Sequence, residues 1–512
     1  MKNNENEFEK TKLRLSALRN NIDAITSVVS TVEGTLGPRG MDCMIVDDYG
    51  NAIITNDGVT ILNEISTSHP GARLLINAVM SQEREVGDGT TTLTVLAGAL
   101  LSYALKMAEM GVPIHKIIEG IKKGIQVVIE IIETEKIIVS EDNSNIMKKV
   151  AYISAREDME ISDSICKAAE IIGIEMLNNH SFKFSDCIEA IEGSQNGVFS
   201  GVVLDKRPLN LLEDYTLNDA KIMVLDDVFD IDEDAKKLLV TESGLKNYLE
   251  SVEIIKSWAE KIVNMKVNLL LCDRMINPMA MQILSDGSVI VVDRVLNSQL
   301  EKAARHCGCK MLKKSALYKN ISDLNNYCGM ADKVIYDAEK EQILIQDGHG
   351  KPYSTIIVSA STGEITREKE RIAKDAAASL QFAIKDGVVP GGGALEIYCS
   401  ALLKEYREDI TGMEKYGFDC IIEALKKPFL QMVENSGFNS LEILEKVVTS
   451  AKIQEKKFLS IDFESGTIHD MVVKEIFDPA YVKISALQKA GEIAEAILRI
   501  NLILRGKETN CS

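Results

Sequence analysis

Proline is scarce in this chain, with nine in 512 residues. That scarcity, beside a hydrophobic content of 46%, argues for a helix-rich globular protein without long disordered stretches. An excess of positive charge is also missing: 58 Lys and Arg stand against 77 Asp and Glu, a formal net charge of −19. Such a surface repels nucleic acid and anionic membrane, so neither is expected as a partner. Residues 1–12 are charged and lack the apolar core of a signal peptide. The longest nearly apolar run, 93–105, is too short to cross a bilayer. The ten cysteines are scattered, which suits free thiols and a reducing cytoplasm, the expected location. His306-Cys307-Gly308-Cys309 with Cys328 could begin a zinc site. No second close-spaced pair completes it, and ordinary packing is the other reading.

Familiar catalytic signatures are absent too. The six histidines are dispersed, no Ser–His–Asp set can be argued from spacing, and no His-Glu-x-x-His occurs. The Gly-x4-Gly-Lys-Ser/Thr phosphate loop is missing, so any nucleotide site must be built another way. There is no short-period repeat and no low-complexity tract.

What the chain does have is Gly87-Asp88-Gly89-Thr90-Thr91-Thr92, followed by an apolar run from Leu93 to Leu101 that reads as a buried helix. Backbone N–H groups and threonine hydroxyls at a helix N-terminus attract phosphate, and glycine lets that backbone come close. An aspartate there can hold a hard cation such as Mg²⁺ against phosphate oxygens. The alternative is a glycine-softened turn with threonine caps. Three other loops share its character: Leu36-Gly37-Pro38, Asn56-Asp57-Gly58 and Pro390-Gly391-Gly392-Gly393. Each alone reads as a turn. Four of them in one α-rich region point to a nucleotide pocket.

Length predicts roughly three domains. Apolar residues at Leu15, Leu18, Ile22, Ile25, Val29 and Val32 predict a helix over 11–33, ended by Gly37-Pro38. Two short strands, 44–47 and 52–55, are expected around a turn at Asp48-Tyr49-Gly50, followed by helices to about 138. The stretch 140–199 is mixed. Between 221 and 360, short β-branched strands alternate with helices and predict an α/β domain. Within it, 241–263 reads as a helix with Leu245, Leu249, Val252, Ile255, Ala259 and Ile262 on one stripe and a charged leading half. From Thr366 the chain reads as helical to a last helix over 484–502. Helical ends around an α/β middle suggest one domain built from both ends, with the rest inserted. Asp375, on a helix predicted over 367–385, shares a face with Ile372, Ser379 and Phe382. A carboxylate turned towards an apolar surface has either a structural partner or a chemical role.

These residues, in order, carry a resemblance. Thr35-Leu36-Gly37-Pro38-Arg39-Gly40-Met41-Asp42, Asn56-Asp57-Gly58-Val59-Thr60-Ile61-Leu62, Gly87-Asp88-Gly89-Thr90-Thr91 and Val388-Val389-Pro390-Gly391-Gly392-Gly393-Ala394 resemble the signature loops of the chaperonins, of the group II, thermosome- and CCT-like type. Gly201 to Lys206 is similar to the entry to the family's apical domain, and Ala496 to Ile500 to its C-terminal helix. The resemblance covers nearly the whole chain. It implies a multidomain α+β and α/β fold with a mostly helical equatorial ATP-binding domain (1–138 and 390–512). It also implies an intermediate hinge domain (139–199 and 361–389) and an α/β apical substrate-binding domain (200–360) with a lid protrusion near 229–265.

The resemblance further implies a double ring of chaperonin subunits, homo- or hetero-oligomeric, that encloses non-native proteins and is driven by ATP hydrolysis. ATP and Mg²⁺ are the implied cofactors. By family position, Asp88 holds the Mg²⁺, Gly89, Thr90 and Thr91 meet the phosphates, and Leu36, Gly37 and Pro38 form the other nucleotide loop. Gly392 lies near the ribose and Asp478 faces the nucleoside. Asp57 assists hydrolysis, and Asp375 positions the attacking water from another domain, so hydrolysis waits on domain closure. Arg156 stands where many group II members carry a nucleotide-sensing lysine, and a guanidinium does not replace an ammonium contact for contact. Ser359-Ala360-Ser361 replaces a glycine pair, and 507–512 lacks a glycine–methionine tail. Such departures suit a bacterial, archaeal-like group III chaperonin or a divergent eukaryotic subunit. Two other functions compete: a ring-forming scaffold or holdase that binds ATP without turnover, and a metabolic kinase that uses the same phosphate loops without a ring.

Overall fold

A computed structural model of the chain describes residues 2–46, 52–65, 67, 69–139, 144–193, 195–230 and 242–500. The turn expected at Asp48-Tyr49-Gly50, residues 231–241 of the expected protrusion, Leu502 and the 507–512 tail lie outside the described residues. The chain divides into two compact units. One comprises Met1–Cys166, His180–Asp186 and Ala360–Ser512; the other comprises Lys167–Asn179 and Cys187–Ser359. The first therefore takes both ends of the chain, and most of the second falls between them in sequence.

The larger unit is built on helices whose apolar residues repeat at helical spacing. Helix Lys2–Val32 starts earlier than the spacing predicts, because its charged leading turns carry no stripe to read. Its buried face is Leu18, Ile22, Ile25, Val28, Val29 and Val32. Helix Thr90–Glu109 is apolar nearly all round and lies in the core. At 20 residues it extends beyond the 93–105 run and is long and apolar enough, on length and composition, to cross a bilayer. However, 61% of its most apolar stretch is buried inside the fold, as in a core helix. Helices Ile114–Glu135, Glu414–Ala424 and Ala480–Arg499 pack around it with Ile117, Ile121, Val128, Phe418, Ile421, Leu487 and Ala494 inward. Each fully buried large side chain contributes about 1.5–3 kcal/mol of transfer free energy.

The region after Thr366 is not wholly helical, contrary to the sequence reading. The strands Val388–Pro390 and Phe477–Pro479 form one two-stranded sheet, and Leu459–Ile461 and Ile468–Asp470 form another. Strands of three residues are too short to show an alternation. The antiparallel register of the first pair sets Val389 opposite Asp478, and so brings the start of the triple-glycine loop beside that carboxylate.

The second unit holds an eight-stranded mixed sheet. Its order is Ile188–Ala190, Ser354–Val358, Gly197–Leu204, Gln342–Gly348, Gly329–Asp337, Tyr215–Leu225, Leu269–Cys272 and Ile290–Val292. The last three strands are parallel and linked through helices, so both faces are covered and Leu269 to Cys272 are all buried. Helix Glu242–Asn264 packs Ile255, Trp258, Ala259 and Ile262 into this core. Leu249, expected on the same stripe, is exposed. The His306–Cys309 stretch is packed within this unit: Nε2 of His306 accepts from the Gly348 N–H at 3.1 Å, and its Nδ1 faces the Lys351 carbonyl. The adjacent Cys309 thiol and burial push Cys307 up, and burial pushes Cys328 up to about 11. Among the described residues no group of three or more His, Cys, Asp or Glu is placed to hold a metal ion.

Candidate functional site

Helix Thr90–Glu109 starts without a side-chain cap. Its N-cap is Gly89, at φ +78°, a left-handed conformation that glycine adopts without strain. The first backbone N–H groups of the helix are therefore not taken by a capping side chain. Asp88 precedes this cap. Its Oδ1 accepts the Gly89 N–H at 2.6 Å, and its Oδ2 accepts the hydroxyl of Ser379. Gln82 fixes the loop from behind, donating to the Asp88 carbonyl at 3.0 Å while accepting from Ser485 at 2.7 Å.

Asp57 caps the next helix. Its Oδ2 accepts the backbone N–H and the hydroxyl of Thr60, both at 2.8 Å, at the start of Gly58–Glu64. A Cβ at Gly58 would lie 2.9 Å from the Thr91 hydroxyl, so the Asn56–Gly58 turn rests directly on the threonine loop. Helix Gly363–Asp386 lies directly against both of these turns. Its 3.6-residue period places Glu368, Arg371, Asp375 and Ser379 along one face. Arg371 Nη1 lies 2.6 Å from Asp375 and 3.5 Å from Asp57, and Ser379 reaches Asp88 one turn further on. The three aspartates drawn from distant parts of the sequence thus meet at one place.

The remaining loops connect through shared neighbours. A Cβ at Gly391 would lie 2.9 Å from Asp478 Oδ1, which leaves only glycine's bulk beside that carboxylate. Lys483 bridges Asp478 at 2.8 Å and the buried Glu396 at 2.6 Å, and the attraction of both carboxylates outweighs burial to hold Lys483 charged. Among the described residues, Glu396 Oε2 has no hydrogen-bond partner. Gly392 offers its carbonyl to Ser460 at 2.6 Å. Loop Leu36–Pro38 and Gly393 lie on the same side chain, Met432: a Cβ would approach it to 2.6 Å at Gly37 and 3.2 Å at Gly393. Asn435 ties the Leu36 carbonyl down at 2.8 Å. Arg156 does not reach the aspartates; it pairs with Glu368 at 3.2 Å, and Glu368 in turn holds Arg371.

The electrostatics are those of crowded carboxylates. Burial drives Asp88 up against the opposing hydrogen bonds from Ser379 and Gly89. Asp375 lies well above the usual carboxylate range, again chiefly through burial, with Arg371 the main opposing influence and Asp88, Glu83 and Asp57 adding to the rise. A donor set of this kind fits a hard divalent cation. Asp88 presents oxygen ligands with lone pairs to spare, and no cationic side chain among the described residues pairs with it.

The sequence reading missed Arg371, Glu83, Glu368 and Lys483. The i, i+3 and i+4 spacing of Glu368, Arg371 and Asp375 was a readable signal; Glu83 had none. Half-buried Glu83 is pushed up to about 7 by burial and by the charges of Asp57 and Asp88. A raised carboxyl costs the fold nothing below the unfolded glutamate range. The cost grows as pH rises through that range and is full above about 7. Glu83→Gln is therefore expected to raise the unfolding temperature of the nucleotide-free protein at pH 8 but not near pH 4.5. Parallel thermal melts at the two pH values check this, and a pH-independent difference would contradict it.

Residues 28–508 match the sequence model of the TCP-1/cpn60 chaperonin family. The thermosome subunit beta of Archaeoglobus fulgidus is 32% identical over 510 residues, covering 96% of this chain and 92% of the relative. The thermosome subunit alpha of Methanothermobacter thermautotrophicus is 32% identical over 500 residues, covering 95% and 90%. Among solved structures, a group III chaperonin in the open state aligns with a TM-score of 0.85 at 35% identity, covering 96% of this chain and 99% of that one.

Proposed function

Since the chain belongs to the TCP-1/cpn60 chaperonin family, we propose that it is the ATP-hydrolysing subunit of a cytoplasmic double ring that encloses non-native proteins. The observation that carries this reading is the meeting of Asp57, Asp88 and Asp375 beside the uncapped N-terminus of helix Thr90–Glu109. In this reading 1–138 and 390–512 form the equatorial domain, 139–199 and 361–389 the hinge, and 200–360 the apical domain. Gly89, Thr90 and Thr91 take the phosphates on backbone N–H groups and hydroxyls. Leu36, Gly37 and Pro38 close a second side of the nucleotide, Gly392 meets the ribose, and Asp478 meets the nucleoside. Asp88 holds Mg²⁺, which when bound neutralises phosphate charge and acts as a Lewis acid on phosphoryl oxygen. Asp375 orients the attacking water, and Asp57 supports it from the other side. Hydrolysis of a phosphoanhydride needs positioning and charge stabilisation more than covalent help, and this set of residues offers both. Arg156 signals nucleotide occupancy through Glu368.

The purified chain, expressed alone, tests the reading. It is expected to hydrolyse ATP in a Mg²⁺-dependent manner, to form ring-shaped particles in the megadalton range, and to raise the refolding yield of a denatured protein when ATP is present. Rings without turnover would make it a holdase. Turnover without rings would make it a kinase-like ATPase.

A further inference from the structure

We propose that Arg371 is a positioning residue for hydrolysis: clamped by Glu368, its guanidinium holds Asp57 and Asp375 in fixed register towards one shared space. The proposal rests on the reading of those two aspartates as hydrolytic. One edge of the guanidinium is bound bidentately, with Nε and Nη2 at 3.1 and 2.8 Å from the two Glu368 oxygens. Nη2 also reaches Asn56 Oδ1 at 3.4 Å. With the fork fixed on that side, Nη1 projects to Asp375 Oδ2 at 2.6 Å and towards Asp57 Oδ1 at 3.5 Å. Among the described residues no other side chain hydrogen-bonds or ion-pairs with both aspartates.

Arg371 occupies one Asp375 oxygen, and Oδ1 accepts no hydrogen bond from any described residue. The carboxylate is thereby fixed in rotation with one oxygen open to an outside donor. Asp57 has its Oδ2 held by Thr60 and its Oδ1 turned to Arg371. Without the guanidinium, no described residue would tie the Asp57 and Asp375 carboxylates to each other, and each would be free to turn out of register. A lysine cannot take its place fully, because a single ammonium cannot grip Glu368 bidentately while reaching two aspartates. Arg371 keeps only 16% of its side chain exposed, so the contacts are made in a poorly screened setting.

Steady-state ATP turnover and ADP binding by calorimetry, measured on the assembled protein, test the proposal. Arg371→Ala is expected to lower kcat about 100-fold, the effect of a small misplacement of catalytic groups, with ADP affinity unchanged. Added guanidinium ion is expected to restore part of that turnover, and Arg371→Lys to fall between Ala and the parent. In an Asp375→Ala background, Arg371→Ala should slow turnover no further, since the arginine acts through that carboxylate. Should Arg371→Ala fail to fold, intermediate kcat with intact ADP affinity in Arg371→Lys supports the proposal on its own. Normal kcat in Arg371→Ala, or loss of kcat and ADP affinity together, overturns it. If Asp375→Ala itself turns over normally, the underlying assignment has failed instead.

Discussion

Asp375→Ala is expected to bind ATP and ADP as the parent does but to hydrolyse ATP about 10²- to 10³-fold more slowly, the usual contribution of a group that orients or accepts a proton from the nucleophile. Retained binding follows from the position of Asp375. It makes no hydrogen bond to the 36–38, 87–91 or 391–393 loops, and its carboxylate is held by Arg371 on its own helix. Slow hydrolysis follows from its chemistry. One carboxylate oxygen is held and the other is open, in surroundings dry enough to lift its pKa well above the ordinary range. The open oxygen of the ionised carboxylate can accept a hydrogen bond from water and orient it, which an alanine side chain cannot do. The fold should survive the change, because Arg371 keeps Glu368 and Asp57 as partners. Single-turnover hydrolysis measured beside an ADP titration separates chemistry from binding. Near-normal turnover would remove Asp375 from the hydrolytic step.

The sequence exposed the larger architecture because its periodicities are strong where burial is complete. The 93–101 run declared a core helix, and Leu269 to Cys272 is buried on both faces and could be read as an inner strand. The four glycine-bearing loops were legible because glycine and threonine chemistry is local. Their convergence was not legible. It depends on Met432 lying against both Gly37 and Gly393, and on a three-residue strand pair that sets Val389 opposite Asp478. Asp375 could be placed on a helix face, yet its closeness to Asp88, which Ser379 holds one turn further along the same helix, needed the fold. Arg371 is legible only in part: its spacing from Glu368 and Asp375 allows ion pairs along the helix, but on a helix rich in Lys, Arg and Glu that spacing also fits solvated neighbours. Only the 16% exposure of its side chain and its contacts to two aspartates set it apart. Glu83 is similar, since one glutamate in the Gln82–Glu85 stretch carries no mark of the charges that it will face.

Asp88→Asn should separate stability from activity more sharply than any other change at this site. In the nucleotide-free chain the Asp88 carboxylate is held in a desolvated position that disfavours its charge, and only the Ser379 hydroxyl and the Gly89 N–H oppose that cost strongly. Asparagine keeps the shape, can accept from Gly89, and can donate to the Ser379 oxygen, so no polar atom is orphaned. The cost of the raised carboxyl appears above the unfolded aspartate range and is full above its folded value, so the gain from removing it grows with pH. The Asn variant is therefore expected to melt at about the same temperature as the parent near pH 3.5, below or within the unfolded aspartate range, and higher than the parent at pH 8. Activity should move the other way. A neutral amide is a poor ligand for a hard divalent cation, and losing about 4 kcal/mol of metal-borne charge stabilisation corresponds to about 10³-fold in rate. Mg²⁺-dependent turnover should fall by that order, and nucleotide binding should lose most of its dependence on Mg²⁺. Thermal melts and a Mg²⁺ titration of ADP binding on the same preparations decide the matter. If the variant is less stable as well as inactive, Asp88 is a structural residue whose loss disturbs the loop. If it is as stable and still inactive, the fold is carrying an unfavourable charge for the sake of the cation that the charge is there to hold.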